Sequence, residues 1–202
     1  MKSNMIYPCL WFNGKAKEAA DFYCSVFDNS VITFQNQMVV IFESSGQKFS
    51  PVLMFTDKQA GRAEQAIHFY TSVFEGSDII GIVNYTKDDN DIEGTVKHAE
   101  FTLGTHAFMA MDSSLMHQFS FSEAISLVVD CETQEEIDYY WDKLTDGGEE
   151  IQCGWLKDRF GVSWQIVPVI LYKLMSDPSR SERVTKAFLQ MKKFEIEKLI
   201  KA

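Results

Sequence analysis

Apolar and polar positions follow a strand period and then a helix period, and the chain repeats this unit. Residues 8–12 and 51–55 are short apolar runs that begin with proline, as expected of strands. Each run is followed by an amphipathic helical pattern that has the same aromatic positions. These positions are Phe22, Tyr23 and Phe27 in the first copy, and Phe69, Tyr70 and Phe74 in the second. The pattern predicts a repeated strand–helix unit.

The second copy continues into three further strands. We predict a helix over 62–74, a strand over 78–85, and a hairpin of Val96–Leu103 with His106–Asp112 around Gly104-Thr105. This order is βαβββ. The first copy shows strand patterns at 31–34 and 38–42, but a strand beginning at 47–50 runs into Pro51 without a turn signal. We therefore predict that the first copy is truncated.

A third unit of the same kind follows. A strand over 125–130 precedes a helix that opens with the capping-box residues Thr133 and Glu136 and stops at Gly147-Gly148. Further strands are expected at 150–157 and 163–167. Two helical segments, at 170–175 and 183–192, form the predicted tail.

Charge and composition exclude some partners. The chain of 202 residues has a formal net charge of −10, which argues against binding to nucleic acid or to an anionic membrane. No apolar run approaches the roughly 20 residues of a membrane helix, and the first residues lack a signal pattern. We therefore expect a cytoplasmic protein. The four cysteines form no C-x-x-C pair, so no zinc knuckle or redox motif is indicated.

Three segments carry a resemblance to a known family. They are PCLWFNG at 8–14, EAISL at 123–127 and CGWLKDRFGVSWQ at 153–165. Together they resemble the PhnB-like branch of the glyoxalase/bleomycin-resistance/dioxygenase (vicinal oxygen chelate) superfamily. The resemblance implies an α+β fold in which paired βαβββ modules form a cup-shaped open barrel. It would have an extra N-terminal βαββ module and C-terminal helices.

The resemblance also implies a division of the chain. Residues 51–170 would form a complete two-module domain, residues 1–50 an orphan N-terminal module, and residues 171–202 a helical tail. An orphan module has a sheet edge and an apolar face without a partner inside the chain. We therefore expect a homodimer in which the two N-terminal modules meet across a two-fold axis.

No metal site is predicted. In metal-using relatives the ligands occupy four positions that correspond here to Pro51, Phe108, Ala124 and Gln165. Only Gln165 has an oxygen donor, and divalent metals need several converging ligands. A one-residue slip of the alignment would instead bring Glu123 into the cup beside Asp112. We expect neither a metal nor another cofactor.

Strand alternation then predicts which side chains line the cup around a small-molecule ligand. His98 and Glu100 share a strand face and are the candidates for a general acid–base pair, although a simple hydrogen-bonded pair is the alternative. Val128 and Ser163 are also expected to line the cup. Ala99, Phe101, Leu103, Leu127 and Trp164 are expected on the opposite face, under the helices. The predicted ligand-binding residues are Leu53, Phe55, His98, Glu100, Thr102, His106, Phe108, Asp112, Ser126, Trp155 and Gln165.

Three functions remain open at this point. The first is binding of a small organic molecule in a metal-poor cup, and the second is a metal-dependent lyase, isomerase or dioxygenase. The third is methyl transfer, because relatives are often labelled as 3-demethylubiquinone-9 3-methyltransferases. A Rossmann-like methyl-donor site would have a glycine-rich turn between a strand and a helix, and the sequence has none. Whether the chain is an enzyme stays open.

Overall fold

The structure is a computed structural model that describes residues 6–27, 30–35, 39–44 and 50–202, with the backbone alone over 30–35 and 39–44. The chain divides into two compact units. We call Tyr7–Ser126 the N-terminal unit, and Leu127–Ala202 together with Ile6 the C-terminal unit. Within the described ranges, no helix is long and apolar enough to cross a membrane. The predicted domain boundaries at residues 50 and 170 stay a prediction.

The first repeat forms a small antiparallel sheet with one helix. Its elements are β1 (Ile6–Trp11), α1 (Ala16–Val26), β2 (Ser30–Gln35) and β3 (Val39–Ser44), and the strand order is β2-β3-β1. The predicted strand start at 47–50 lies, apart from Ser50, outside the described residues. Helix α1 buries Ala16 and Ala20, whereas Phe22 and Val26 are 61% and 55% exposed. The predicted apolar face of this helix is therefore only partly covered.

The second repeat is βαβββ, as predicted. Its elements are β4 (Val52–Phe55), a 3-10 turn (Asp57–Gln59), α2 (Ala63–Val73), β5 (Asp78–Asn84), β6 (Val96–Leu103) and β7 (His106–Asp112). The strand order is β4-β7-β6-β5, in which β4 runs parallel to β7 and the other pairs are antiparallel. Helix α2 buries Ala66, Ile67, Tyr70 and Val73, and Val73 corresponds in the repeat to the exposed Val26 of α1.

The third repeat supplies the sheet of the C-terminal unit. Its elements are β8 (Ile125–Cys131), α3 (Gln134–Thr145), β9 (Glu149–Glu150), β10 (Trp155–Lys157) and β11 (Ser163–Pro168), in the order β8-β11-β10-β9. The Thr133 side chain accepts a hydrogen bond from the Glu136 N–H, so the predicted cap is confirmed. The Glu136 carboxylate accepts from the Glu132 N–H, one residue before the expected donor. The parallel pair β8–β11 and the helix confirm the α+β fold class.

Three tail helices follow: α4 (Val169–Met175), α5 (Ser181–Phe188) and α6 (Ile196–Lys201). The first two were predicted and α6 was not. The tail is fastened by backbone hydrogen bonds from the Cys153 and Gly154 N–H groups to the carbonyls of Met191 and Lys192, at 2.8 and 2.7 Å. The Gln134 side chain also bonds the tail backbone, donating to the Phe194 carbonyl and accepting from the Ile196 N–H.

Candidate functional site

The sheet of the second repeat has one face under α2, which we call the α2 face. Directly paired residues share a face, and Ala99, Phe101 and Leu103 of β6 are all buried. Phe108 lies opposite Phe101, with the two rings stacked at 5.7 Å between centroids. The pairing of β4 with β7 then extends the same face to further residues, namely Leu53, Phe55, Ala110 and Asp112. This face is the core of the repeat.

The expectation that all the cup-lining candidates of this repeat share one face is therefore wrong. Leu53, Phe55, Phe108 and Asp112 lie on the α2 face, and His106 pairs with Leu103 at its end. The candidates His98, Glu100 and Thr102 lie on the opposite face, which we call the far face. Glu100 there pairs with Met109, and Met54 pairs with Met111. The roles of all these residues in ligand binding stay a prediction.

Asp112 is a buried carboxylate that joins three parts of the repeat. One oxygen accepts hydrogen bonds from the backbone N–H groups of Gly61 and Ala63, at 2.8 and 3.1 Å. The other accepts from the Val96 N–H at 3.0 Å. Burial raises the pKa of the Asp112 carboxyl above its ordinary value, although the same backbone N–H groups act in the opposite direction. The carboxylate thus holds the start of α2 and the start of β6 against the end of β7.

His98 and Glu100 form the contact that the sequence predicted. The His98 Nε2 lies 3.2 Å from the Glu100 Oε1, and both side chains are exposed. Val83 pairs with His98 and Gly81 with Glu100 from the neighbouring strand β5. A histidine hydrogen-bonded to a carboxylate is an arrangement that general bases use.

The sheet of the C-terminal unit also has two distinct faces. Trp164 pairs with Leu156 and with Leu127, and these buried residues pack under α3. Gln165 pairs with Trp155 and with Val128 on the opposite face, which we call the Trp155 face. The sequence placed Gln165 and Val128 on one face and Leu127 and Trp164 on the other, and this register confirms it. Trp155 and Gln165 are half-buried, and the remaining candidate, Ser126, is a buried residue of the N-terminal unit.

The turn 158–161 is built by a buried aspartate that sequence reasoning did not single out. The Asp158 carboxylate accepts from the N–H groups of Phe160 and Val162, at 2.8 and 3.1 Å, and from the Trp164 indole N–H at 2.8 Å. Phe160 is fully buried. The DRFGVSW part of the motif therefore specifies a turn between β10 and β11, because these bonds fix its backbone. The sequence feature that could have revealed this turn is the spacing of an aspartate six residues before a tryptophan.

The four positions that correspond to metal ligands in relatives offer little to a cation. Phe108 is buried in the α2 face, Ala124 has no donor, and Gln165 has one amide oxygen. Among the residues that the structure describes, no group of three or more His, Cys, Asp or Glu side chains could hold a metal ion. Asp112, the other carboxylate considered for the cup, is engaged with backbone N–H groups.

The strand orders and paired faces define an α+β protein of repeated βαβββ units. A family model described as 3-demethylubiquinone-9 3-methyltransferase matches residues 4–46 and again 47–167. The chain belongs to this PhnB-like family, which confirms the resemblance inferred from the three segments. The comparison with curated proteins gives no match.

The solved structures that are similar to this chain include two with a TM-score above 0.5. A PhnB protein from Bacillus cereus, described as a 3-demethylubiquinone-9 3-methyltransferase, is 43% identical, with a TM-score of 0.56. The match covers 61% of this chain and 100% of that one. Protein PA1353 from Pseudomonas aeruginosa is 20% identical, with a TM-score of 0.52, over 61% of this chain and 98% of that one. The second likeness is one of fold alone.

Proposed function

We propose that this protein binds a small organic molecule in the cup that its family resemblance implies, without a divalent metal, and that it works in the cytoplasm. The observation that carries the proposal is the Trp155 face. There an indole and an amide, Trp155 and Gln165, lie directly opposite each other and are half-buried on the face away from α3. Small-molecule sites are usually made of such aromatic surface with a few placed polar groups.

The far face of the second repeat supports the same proposal. It has an apolar strip formed by Met54, Met109 and Met111 beside the His98–Glu100 pair. Methionine side chains are flexible and polarisable, so they adapt to ligands of different shape. The pair would orient a ligand or exchange a proton with it.

Chemical extraction tests the proposal. Protein purified without chelator is denatured, and the released small molecules are separated and weighed by mass spectrometry. We expect an organic molecule in near-stoichiometric amount from the wild type and much less from a Trp155→Ala/Gln165→Leu variant of equal purity. Elemental analysis of the same preparation should find no stoichiometric divalent metal. A stoichiometric metal whose removal lowers the melting temperature would favour a metal-dependent lyase, isomerase or dioxygenase.

Methyl transfer is the second candidate, because the matching family is described as a methyltransferase. The links between strands and helices argue against a Rossmann-like donor site. The links at 12–15 and 56–62 contain one glycine each, Gly14 and Gly61, and the link at 132–133 contains none. Calorimetric titration with S-adenosylmethionine should give no heat of binding. Saturable binding would favour methyl transfer over the first proposal.

We also propose that the protein is a homodimer formed through its first repeat. The exposed Phe22 and Val26 are one helical turn apart on α1, whereas their equivalents on α2, Phe69 and Val73, are half-buried and buried. Light scattering on the eluting protein should give twice the chain mass of 23.2 kDa. A Phe22→Glu/Val26→Glu variant should elute as a monomer, whereas Leu189→Glu, at another exposed apolar position, should not. A dimer that survives the double substitution would contradict this interface.

A further inference from the structure

Three methionines lie close together on the far face of the second repeat. Met54 in β4 pairs directly with Met111 in β7, and Met109 lies two residues before Met111 on the same strand. Neighbouring strands are about 5 Å apart, and alternate residues of one strand are roughly 7 Å apart. Each methionine side chain has three rotatable bonds, so the three thioether sulfurs can approach one point above the sheet.

The three methionine side chains are free to bind a ligand. All three are half-buried, so each keeps contact with solvent. Among the described residues, none of the three makes a hydrogen bond or a ring contact. A thioether sulfur is a weak hydrogen-bond acceptor but a good ligand for soft metal ions. The far face therefore has three soft donor atoms within reach of one another.

His98 adds a nitrogen donor beside these methionines. Its Nε2 lies 3.2 Å from the Glu100 Oε1, and Glu100 pairs directly with Met109. An ionised carboxylate only accepts hydrogen bonds, so the His98 Nε2 carries the proton in this contact and the Nδ1 of the neutral ring keeps its lone pair. Metal-binding histidines usually have this arrangement, because a carboxylate that holds one ring nitrogen orients the other toward the metal.

The charges around the methionines suit a cation. Glu100 and Asp78 are both carboxylates of the far face, since Asp78 pairs with Thr102. The lysine of β6, Lys97, forms an ion pair with Asp89. The whole chain has a net charge of −10, so its overall field also attracts cations.

We infer that the far face binds one soft monovalent cation of the copper(I) class through the three methionine thioethers and the His98 imidazole. Thioethers favour soft ions such as copper(I), and imidazole also suits copper, whereas magnesium and calcium take oxygen ligands. These donors differ in kind from those expected of a divalent metal in the cup. The inference goes beyond the proposed function, which depends on the Trp155 face.

Silver(I) is the probe, because it has the charge and softness of copper(I) and is stable in air. Full-length protein labelled with ¹³C at the methionine methyl groups is titrated with silver nitrate in chloride-free buffer and followed by NMR. We expect the methyl signals of Met54, Met109 and Met111 to shift together. The signal of Met116, which is 99% exposed, should stay in place, and zinc(II) should shift none of them. The four free cysteines also bind silver, so the methyl signals rather than the heat of binding identify the site.

Two sets of variants test the ligands. Met109→Leu/Met111→Leu nearly keeps the side-chain volume, and it should raise the silver concentration that shifts the Met54 signal by about tenfold or more. Met116→Leu is the matched control and should leave that concentration unchanged. Glu100→Gln should also weaken binding about tenfold, because loss of the group that orients a metal-binding histidine typically has this effect. A purely structural role of Glu100 would change the melting temperature and leave the silver affinity the same.

Three results would overturn the inference. The first is methyl signals that do not move after silver has saturated the cysteine thiols, which would mean that only the thiols bind. The second is an unchanged affinity in Met109→Leu/Met111→Leu, and the third is an unchanged affinity in Glu100→Gln. The proposed function is tested separately, by chemical extraction and the Trp155→Ala/Gln165→Leu variant, so either proposal can fail alone.

Discussion

Asp112 is a predicted ligand-binding residue whose carboxylate, in the structure, bonds the backbone of its own repeat. A carboxylate at the end of a strand is a natural candidate ligand group. In the structure its two oxygens accept hydrogen bonds from the backbone N–H groups of Gly61, Ala63 and Val96. Two of these donors lie where α2 begins, a position at which a negative charge also stabilises the helix. Asp112 is therefore a positioning residue for the second repeat.

Replacing Asp112 should destabilise the protein strongly. Asp112→Ala leaves three backbone N–H groups without their acceptor, and we expect the free energy of unfolding to fall by roughly 2–4 kcal/mol. Chemical denaturation with circular dichroism measures this change. Asp78→Ala, which removes an exposed carboxylate from the same sheet, should cost less than about 0.5 kcal/mol. Equal effects of the two substitutions would contradict the role of Asp112.

The face of a single residue could be predicted only where one series of alternate residues is apolar. In β6 the buried series Ala99, Phe101 and Leu103 alternates with the polar series His98, Glu100 and Thr102, and the sequence assigned both faces correctly. In β7 both alternating series contain apolar residues. Alternation alone therefore did not identify the buried series, and the pairing register was needed.

At the scale of elements, the tail is fastened where the chain passes close to itself. Gly154 adopts a φ of +79°, and its N–H bonds the Lys192 carbonyl. A Cβ atom on Gly154 would lie 2.4 Å from the Phe194 ring and 2.8 Å from the Ile166 carbonyl oxygen. Phe194 is buried and cannot move aside freely. This contact requires glycine on grounds of both conformation and space.

Gly154→Ala should therefore loosen the tail. We expect a loss of about 2 kcal/mol or more in the free energy of unfolding, and faster proteolytic cleavage near Lys192 and Lys193. Gly76→Ala is the matched control, because Gly76 also has a positive φ, of +73°, but no atom lies within 4 Å of the added Cβ. It should cost about 1 kcal/mol and leave the cleavage pattern unchanged. Similar proteolysis of both variants would contradict the tail contact.

An ion pair between the tail and α3 should make the attachment pH-dependent. The Lys193 Nζ lies 2.7 Å from the Asp138 carboxylate, and its hydrogen bond lowers the pKa of Asp138 below the ordinary value of 3.8. A lowered pKa means that the pair stabilises the folded state above pH 3.8 and that this contribution is lost as the pH falls through the folded-state pKa. The same bond raises the pKa of Lys193 above 10.5, so the contribution also ends in strong base.

Melting temperatures of the wild type and Lys193→Met between pH 2 and pH 7 test this pair. The wild type should melt higher at neutral pH, by a small amount because both side chains are partly exposed. The difference should disappear at the acidic end. The control is Lys198→Met, which removes an exposed lysine of α6 that pairs with Glu195, three residues earlier. Its melting temperature should follow that of the wild type across the same pH range. A difference that is constant with pH would contradict the ion pair.

At the scale of the whole molecule, periodicity and turn residues predicted the three repeats and the order of their elements. The helix α6 was missed because six residues give little periodic signal. The split of the candidate residues between two sheet faces could not be predicted, since it depends on how β4 and β7 pair. The role of Asp158 in the turn before Trp164 was missed for a similar reason, because its partners include the backbone N–H groups of Phe160 and Val162.

The most direct test of the central claim is the native mass of the intact protein purified without chelator. The account predicts an assembly of twice the 23.2 kDa chain mass plus one small organic molecule per chain, with no addition that matches a divalent metal. Collisional activation should release the molecule, and its mass should equal that found after denaturing extraction. A native mass that equals the protein alone, or the protein plus a divalent metal, would contradict the account.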